Sequence, residues 1–480
     1  MKTNTKLIKI ICEISLCIFL LFSIIRLQEK IAIFGKDSVQ VDFSVYYTTG
    51  QNLLFDFPLY KNGIIANPPI WDGLDRYVHS RYLYPPLAAI PFELIASFMT
   101  YGIAKFFWMY FSLTCLLVSI FITIRSLKLK LNFWQYLIVG IYTSWFFPLL
   151  TSLERGQIDN LTLLLAISAI ALAVGKSRKE IVSGFIWTFA TLVKLHIGFV
   201  AIFFILRKQW KILAGYFFGG VTIVVLTALL LGPSSVSDYI VKEFPRIAKY
   251  GEAGTSEMKL PDSYFEKYYN ERNPGSTYGL EKDGQWFKGI HLSFAPNASL
   301  ARFIAMRAND LNSEWQISPT LISIMLLALF LPVAYMALKK IQIENLGLSS
   351  EKEFLYWYSI LMILMLFGPL TWTMNAVWII PLSTLAVGQH PWSKDRMRTI
   401  PWVLLVVALL LAFVPDCMYL GWRDFASPSS FCKALDSSKY IFSEFFIIIS
   451  IWLQVKEVKD LKNPKQTSGT PTEKPTQSYS

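Results

Sequence analysis

Charge is scarce in this chain. Asp, Glu, Lys and Arg make up 16% of its 480 residues, whereas a soluble domain carries about a quarter. With 54% hydrophobic residues and a mean hydropathy of +0.43, that scarcity excludes an ordinary soluble domain. Histidine is also thin: His79, His196, His291 and His390 are scattered, which argues against a multi-histidine metal site. Among five cysteines, Cys12, Cys17 and Cys115 fall inside apolar runs, as free thiols commonly do. Cys417 and Cys432 flank a polar loop and are expected either to bridge or to stay free, since spacing gives no Cα separation. There is no Walker loop, no zinc-protease helix and no Asp-x-Asp pair. Long-period repeats are lacking, as are matching interrupted helices in the two halves, both of which a repeat-built transporter should show. The net charge of +12 accompanies no nucleic-acid motif.

What the chain does have is long apolar runs, at about 8–25, 103–124, 134–151, 157–174, 212–232, 316–338, 354–368, 373–387, 399–420 and 440–455. The first follows Lys2 and Lys6 and lacks a small-residue cleavage site, so it reads as a retained span rather than a signal peptide. Short basic connectors, Arg125–Lys130, Lys176–Lys179, Arg207–Lys211, Lys339–Lys340 and Lys394–Arg398, mark one face as cytoplasmic. The 152–156 connector and the loops 26–84, 233–315 and 421–439 then lie outside. The expected fold is all-α: a polytopic integral membrane protein with about 10 to 12 transmembrane segments and two large extracytoplasmic loops. Residues 1–462 form the membrane domain and 463–480 a disordered cytoplasmic tail. A cell-membrane, multi-pass location follows.

Two segments break the parity. Residues 85–99 read as a dipping helix. Residues 181–206 have basic connectors at both ends, so they read as two half-helices meeting near Lys194. Non-helical backbone at that depth is tolerated only where it is buried in protein or lines a cavity.

Several residues are candidates for chemistry. Asp42, among Phe43, Tyr46 and Tyr47, could serve as a general base in a partly dehydrated cleft, or it is a solvated acid in an interfacial aromatic belt. Asp37 and Asp56 are alternatives with fewer aromatic neighbours. Arg155, in the turn Glu154-Arg155-Gly156-Gln157, offers a planar fork for a carboxylate or phosphate, or simply pairs with Glu154. Asp159 opens the next run, where an acid suits a helix N-terminus. Lys194 is the one basic residue deep in an apolar segment, and intramembrane charges are functional hypotheses by default. His196 reads as structural. In the second large loop, His291, Asn297 and Arg302 could orient a sugar or phosphate, or Asn297 or Ser299 caps a helix. Trp372 is either a stacking platform for a sugar or another belt tryptophan.

The ordered set Asp42-Phe43 with Tyr46 and Tyr47, Pro58-Leu59-Tyr60, Tyr84-Pro85-Pro86-Leu87, Arg155-Gly156-Gln157, Lys194 and Asn297-x-Ser299-Leu300 resembles glycosyltransferase family 87. Members are similar to polyprenyl-phosphate-mannose-dependent mannosyltransferases of the GT-C fold. The landmarks run in order through residues 8–455. The resemblance implies that Asp42 is the catalytic residue, and Tyr46, Tyr84, Arg155, Gln157, Lys194, His291, Asn297, Arg302 and Trp372 are the expected substrate contacts. It also implies a sugar, mannose first, carried on a polyprenyl phosphate and passed to a lipid-linked or glycan acceptor on the extracytoplasmic face. No metal or cofactor is expected, because cationic side chains can stabilise a departing phosphate. Thr373, Met374 and Asn375 follow Trp372 where many members have acidic and histidine residues, and Leu195 follows Lys194 where proline is common. A transporter or lipid flippase, and a non-catalytic scaffold, are the rival classes.

Overall fold

The computed structural model describes residues 2–37, 40–56, 59–60, 82–175, 178–245, 299–311, 317–343, 349–368, 371–388, 396–415 and 430–456. His291, Asn297, Cys417, the side chain of Cys432 and the 463–480 tail lie outside the described residues. All regular elements among the described residues are helical. Four of these helices contain stretches long and apolar enough to cross a membrane: Ile10–Lys36, Tyr101–Ser126, Trp210–Leu231 and Ser438–Val455. A bent pair, Phe133–Trp145 with Phe147–Arg155, makes a fifth. Several of the other expected spans are apolar helices of 10–17 residues, shorter than the roughly 20 that a straight crossing needs.

The first helix, α1 (Lys2–Asp37), outruns its expected end by a dozen residues, and α2 (Val41–Leu54) follows almost at once. The segment expected to be an outer loop from residue 26 is therefore helical for much of its first half. Asp42 sits in the first turn of α2, five residues past the end of α1 rather than well out along a loop. A 3₁₀ turn over Pro86–Ala89 leads into α3 (Ile90–Phe98), and α4 (Tyr101–Ser126) follows. The aromatic faces of α2, α3 and α4 form one buried cluster containing Phe43, Tyr46, Tyr47, Phe92, Tyr101 and Trp108.

The chain then enters α5 (Phe133–Trp145), whose first turn is closed by a reciprocal Asn132–Gln135 capping box, a device that satisfies two orphan backbone donors. Helix α6 (Phe147–Arg155) departs from α5 by 51°. Pro148 explains the bend: it has no N–H to offer Ser144 and its ring collides with that carbonyl. The next helices are α7 (Asp159–Val174) and α8 (Glu180–Val193). At Lys194 the backbone turns extended, a 3₁₀ turn covers Leu195–Phe199, and α9 (Val200–Leu206) completes the excursion. The helix does break at the lysine.

A glycine seam sets the position of α8. Its partner α10 (Trp210–Leu231) presents Gly215 and Gly219 to it, and Gly184 faces back from α8. A Cβ on Gly184 would run into the Ile212 carbonyl, and one on Gly215 into the Ile181 carbonyl. Small residues four apart are the usual way for helices in lipid to bring their backbones together. Thr188 donates to the Tyr216 carbonyl across the same seam, 2.8 Å.

Beyond α11 (Pro233–Asp238), α12 (Leu300–Leu311) and α13 (Pro319–Ile343) lead to α14 (Ser350–Phe367). From Glu353 to Leu366, α14 is buried on all sides, as expected of a helix apolar all round. A ten-residue 3₁₀ helix, Thr373–Leu382, is buried as well, although such runs rarely exceed four residues. Short α15 (Ser383–Gly388), then α16 (Arg396–Phe413) and α17 (Ser430–Lys456), complete the order.

Candidate active site

One five-residue turn, Arg155 to Asp159, organises the polar centre. Helix α6 ends at Gly156, whose left-handed backbone (φ 70°) is the usual glycine terminator. A Cβ there would also strike the Cβ of Phe43, so glycine lets the turn lie directly against α2. That contact brings Arg155 and Gln157 to Asp42. Arg155 Nε donates to Asp42 Oδ2 at 2.8 Å and Nη2 reaches Oδ1 at 3.4 Å. Gln157 Nε2 donates to the same Oδ2. Asp42 and Arg155 each keep 21% of their side-chain surface exposed, so the pair is half-buried and open on one side.

The far end of the turn faces Lys194. Its ammonium pairs with Asp159, which is completely buried while the lysine is 11% exposed. The sequence presents Lys194 as a lone cation in an apolar segment. The structure supplies its anion, and Asp159 is more than a helix-start residue. Trp378, delivered by the long 3₁₀ helix, lies under this pair: the Lys194 ammonium is 5.7 Å from its ring centroid, and His196 stacks on it at 6.4 Å. Two indoles hold the turn itself. Trp108 Nε1 donates to the Gly156 carbonyl at 2.8 Å, and Trp378 Nε1 donates to the Asp159 carbonyl at 3.1 Å. Arg155 at one end of the turn holds Asp42, and Asp159 at the other end holds Lys194. Both charge pairs therefore belong to one connected centre.

The aromatic residues beside Asp42 do a different job from the one their sequence position suggests. Phe43 is fully buried and stacks on Tyr101 and Trp108 at 5.9 and 5.4 Å. They are the packing between α2 and α4 and they fix the carboxylate from behind. The Tyr46 and Tyr84 hydroxyls meet at 3.0 Å. Burial first, then the neighbouring Tyr84 and Asp42, hold the Tyr46 phenol well above its ordinary range, so it stays neutral. Tyr60 donates to the Tyr84 carbonyl at 2.9 Å.

Arg302 and Trp372 are built around a second turn. Ser299 donates to the Gly368 carbonyl and accepts from the Arg302 amide at 3.2 Å, and Arg302 is wholly buried. Trp372 caps the 3₁₀ helix and is half-buried. Trp108 and Trp378 escape a reading of the sequence, because an indole inside an apolar run looks like any core residue.

An all-helical membrane protein that holds a half-exposed carboxylate against a guanidinium, beside a buried lysine, has the makings of a group-transfer enzyme. Residues 82–267 match the family model for Glycosyltransferase family 87, and the chain is a membrane glycosyltransferase. The match takes in Tyr84, the Arg155–Asp159 turn and Lys194. It is narrower than the run of landmarks from 8 to 455, and Asp42 lies ahead of it. No curated protein matches the chain.

Proposed function

We propose that this enzyme moves a sugar, with mannose the first candidate, from a polyprenyl-phosphate donor to a lipid-linked or glycan acceptor on the extracytoplasmic face. Asp42 serves as the general base. The observation that carries the reading is the fixed, half-open carboxylate of Asp42, held by Arg155 and Gln157 on the turn that also supplies the partner of Lys194. A carboxylate so anchored can keep one lone pair for an acceptor hydroxyl. It takes the hydroxyl proton as that oxygen attacks the anomeric carbon, the bond to the donor phosphate breaks, and the anomeric centre inverts. One carboxylate suffices, because a phosphate leaving group needs no proton, whereas a glycosidase pair must protonate its leaving oxygen.

Both cations of this centre are already matched by acids. An incoming phosphate would compete for Arg155 and Lys194, and as Arg155 is drawn away, the Asp42 oxygens it occupied are freed to accept from the acceptor hydroxyl. The donor would thus switch on its own acceptor chemistry. The test is transfer from radiolabelled polyprenyl-phosphate mannose to candidate acceptors by purified enzyme in nanodiscs. Asp42→Asn keeps the shape and removes the base. Transfer should drop about 10²–10⁴-fold with donor binding largely retained. Undiminished transfer by that variant at equal loading would remove Asp42 from the mechanism.

A further inference from the structure

At the opposite end of α4 the chain has a second polar feature that the proposed chemistry does not use. Tyr101, at the start of α4, packs on Phe43 beside Asp42. Arg125 lies 24 residues further along the same helix, roughly 36 Å away at the helical rise. There the structure holds a cavity of about 450 Å³ between α4, α7 and the start of α14. Ile124, Leu129, Ala171 and Val174 form an apolar lining, and Arg125, Lys128 and Lys130 bring three cations to it. Ser350, at the N-terminus of the 18-residue α14, adds a hydroxyl. Lys128 pairs with Glu351 and draws that carboxyl below its usual range. Arg125 and Lys130 are exposed and form no ion pair among the described residues. The cavity therefore keeps a net positive charge of two over an apolar lining.

We propose that this cavity is a binding site for the phosphate headgroup of an anionic phospholipid in the leaflet opposite Asp42. A polar rim of cations over an apolar lining matches a headgroup phosphate joined to the start of acyl chains. Basic pockets between membrane helices are a recurring form of such sites. Free phosphate shares the charge but gains nothing from Ile124, Leu129 and Val174, so the lipid is the better fit. Occupancy would tie α4, α7 and α14 together at one end of the bundle without touching the reacting groups.

The test is native mass spectrometry of the delipidated full-length protein, titrated with phosphatidylglycerol, with phosphatidylcholine of the same chains, and with inorganic phosphate. Phosphatidylglycerol should be retained over phosphatidylcholine, and millimolar phosphate should not displace it. Each cation near an anionic headgroup is worth about fivefold in affinity. The double variant Arg125→Ala/Lys130→Ala should therefore weaken retention on the order of twentyfold. Ala171→Leu, which fills the lining and leaves every cation in place, should weaken it too. Lys208→Ala removes an exposed cation outside the cavity lining and should change little. Equal retention of the two lipids, survival of retention in the double variant, or displacement by phosphate would each overturn the proposal. Should Ala171→Leu fail to fold, the double variant, confined to exposed side chains, decides alone.

Discussion

The buried pair of Lys194 and Asp159 permits a sharp separation of structural from chemical work. Asp159 is fully buried and Lys194 nearly so, so neither charge has bulk water to fall back on. Removing one partner of such a pair typically costs about 3–5 kcal/mol, because the other is left buried and uncompensated. Lys194→Met alone and Asp159→Asn alone should therefore both lower the thermal midpoint of the enzyme in nanodiscs. The double variant removes both charges and should recover most of that loss, since apolar or neutral replacements of a buried pair are often close to neutral. Turnover behaves differently if Lys194 stabilises charge on the departing phosphate. Losing a group that acts on developing negative charge costs about 2.7–4 kcal/mol in the barrier. That corresponds to about 10²–10³-fold in rate, and the double variant should not regain it. The assay pairs intrinsic-fluorescence melting with mannosyl transfer on the same preparations. A double variant that recovers both stability and transfer would show that the lysine serves packing alone, and the phosphate site would have to lie elsewhere.

Further expectations follow from the same centre. Gly156→Ala forces a side chain into left-handed backbone, at about 1–2 kcal/mol, and into Phe43, where overpacking adds about 1–3 kcal/mol. Melting should fall and transfer should fall further, and a variant with wild-type melting and rate would mean that the turn does not need its glycine. Trp378→Phe keeps the ring under Lys194 and leaves the Asp159 carbonyl without its indole donor. It should cost about 1–3 kcal/mol, read as a lower melting midpoint, whereas an unchanged midpoint would mean that water or another donor replaces the indole. For topology, Lys208 and Ser234 are exposed at opposite ends of α10. Single cysteines there, on a cysteine-free background, should react with impermeant maleimide from opposite sides, and labelling of both from one side would invalidate the orientation.

Much of the centre is readable from the sequence, and what escapes it has physical reasons. The break at Lys194 is legible because basic connectors at both ends of 181–206 force the chain to leave and return. The Arg155-Gly156-Gln157 turn is legible because glycine and polar residues interrupt two apolar runs. The pairing of Lys194 with Asp159 is not, because the partners are 35 positions apart and no helical spacing relates them. Helix α2 is missed because Val41, Val45, Tyr46, Tyr47, Thr48 and Thr49 are poor helix formers. Its helicity comes from packing against α3 and α4, where Phe43 alone stacks against two rings. Hydropathy alone does not show that the run at 134–151 is a helix pair bent at Pro148, nor that several of the other apolar runs form helices of only 10–17 residues. Trp378 is hidden by its setting, since a 3₁₀ helix of ten residues has no recognisable apolar period.

The glycine seam between α8 and α10 makes α8 a lever arm. Its fulcrum lies at Gly184, where backbone meets backbone, and its tip is Lys194, ten residues on, or about 15 Å at the helical rise. A tilt of about 5° at the fulcrum would swing the ammonium by roughly 1.3 Å over that arm, and a displacement of about 1 Å at a reacting centre can cost on the order of 10²-fold in rate. A single methyl group added at Gly184, Gly215 or Gly219 is therefore felt at the far tip, amplified by leverage. Changes in which sugar donor or acceptor is used can arise from this remote hinge, with every residue that touches substrate left as it is.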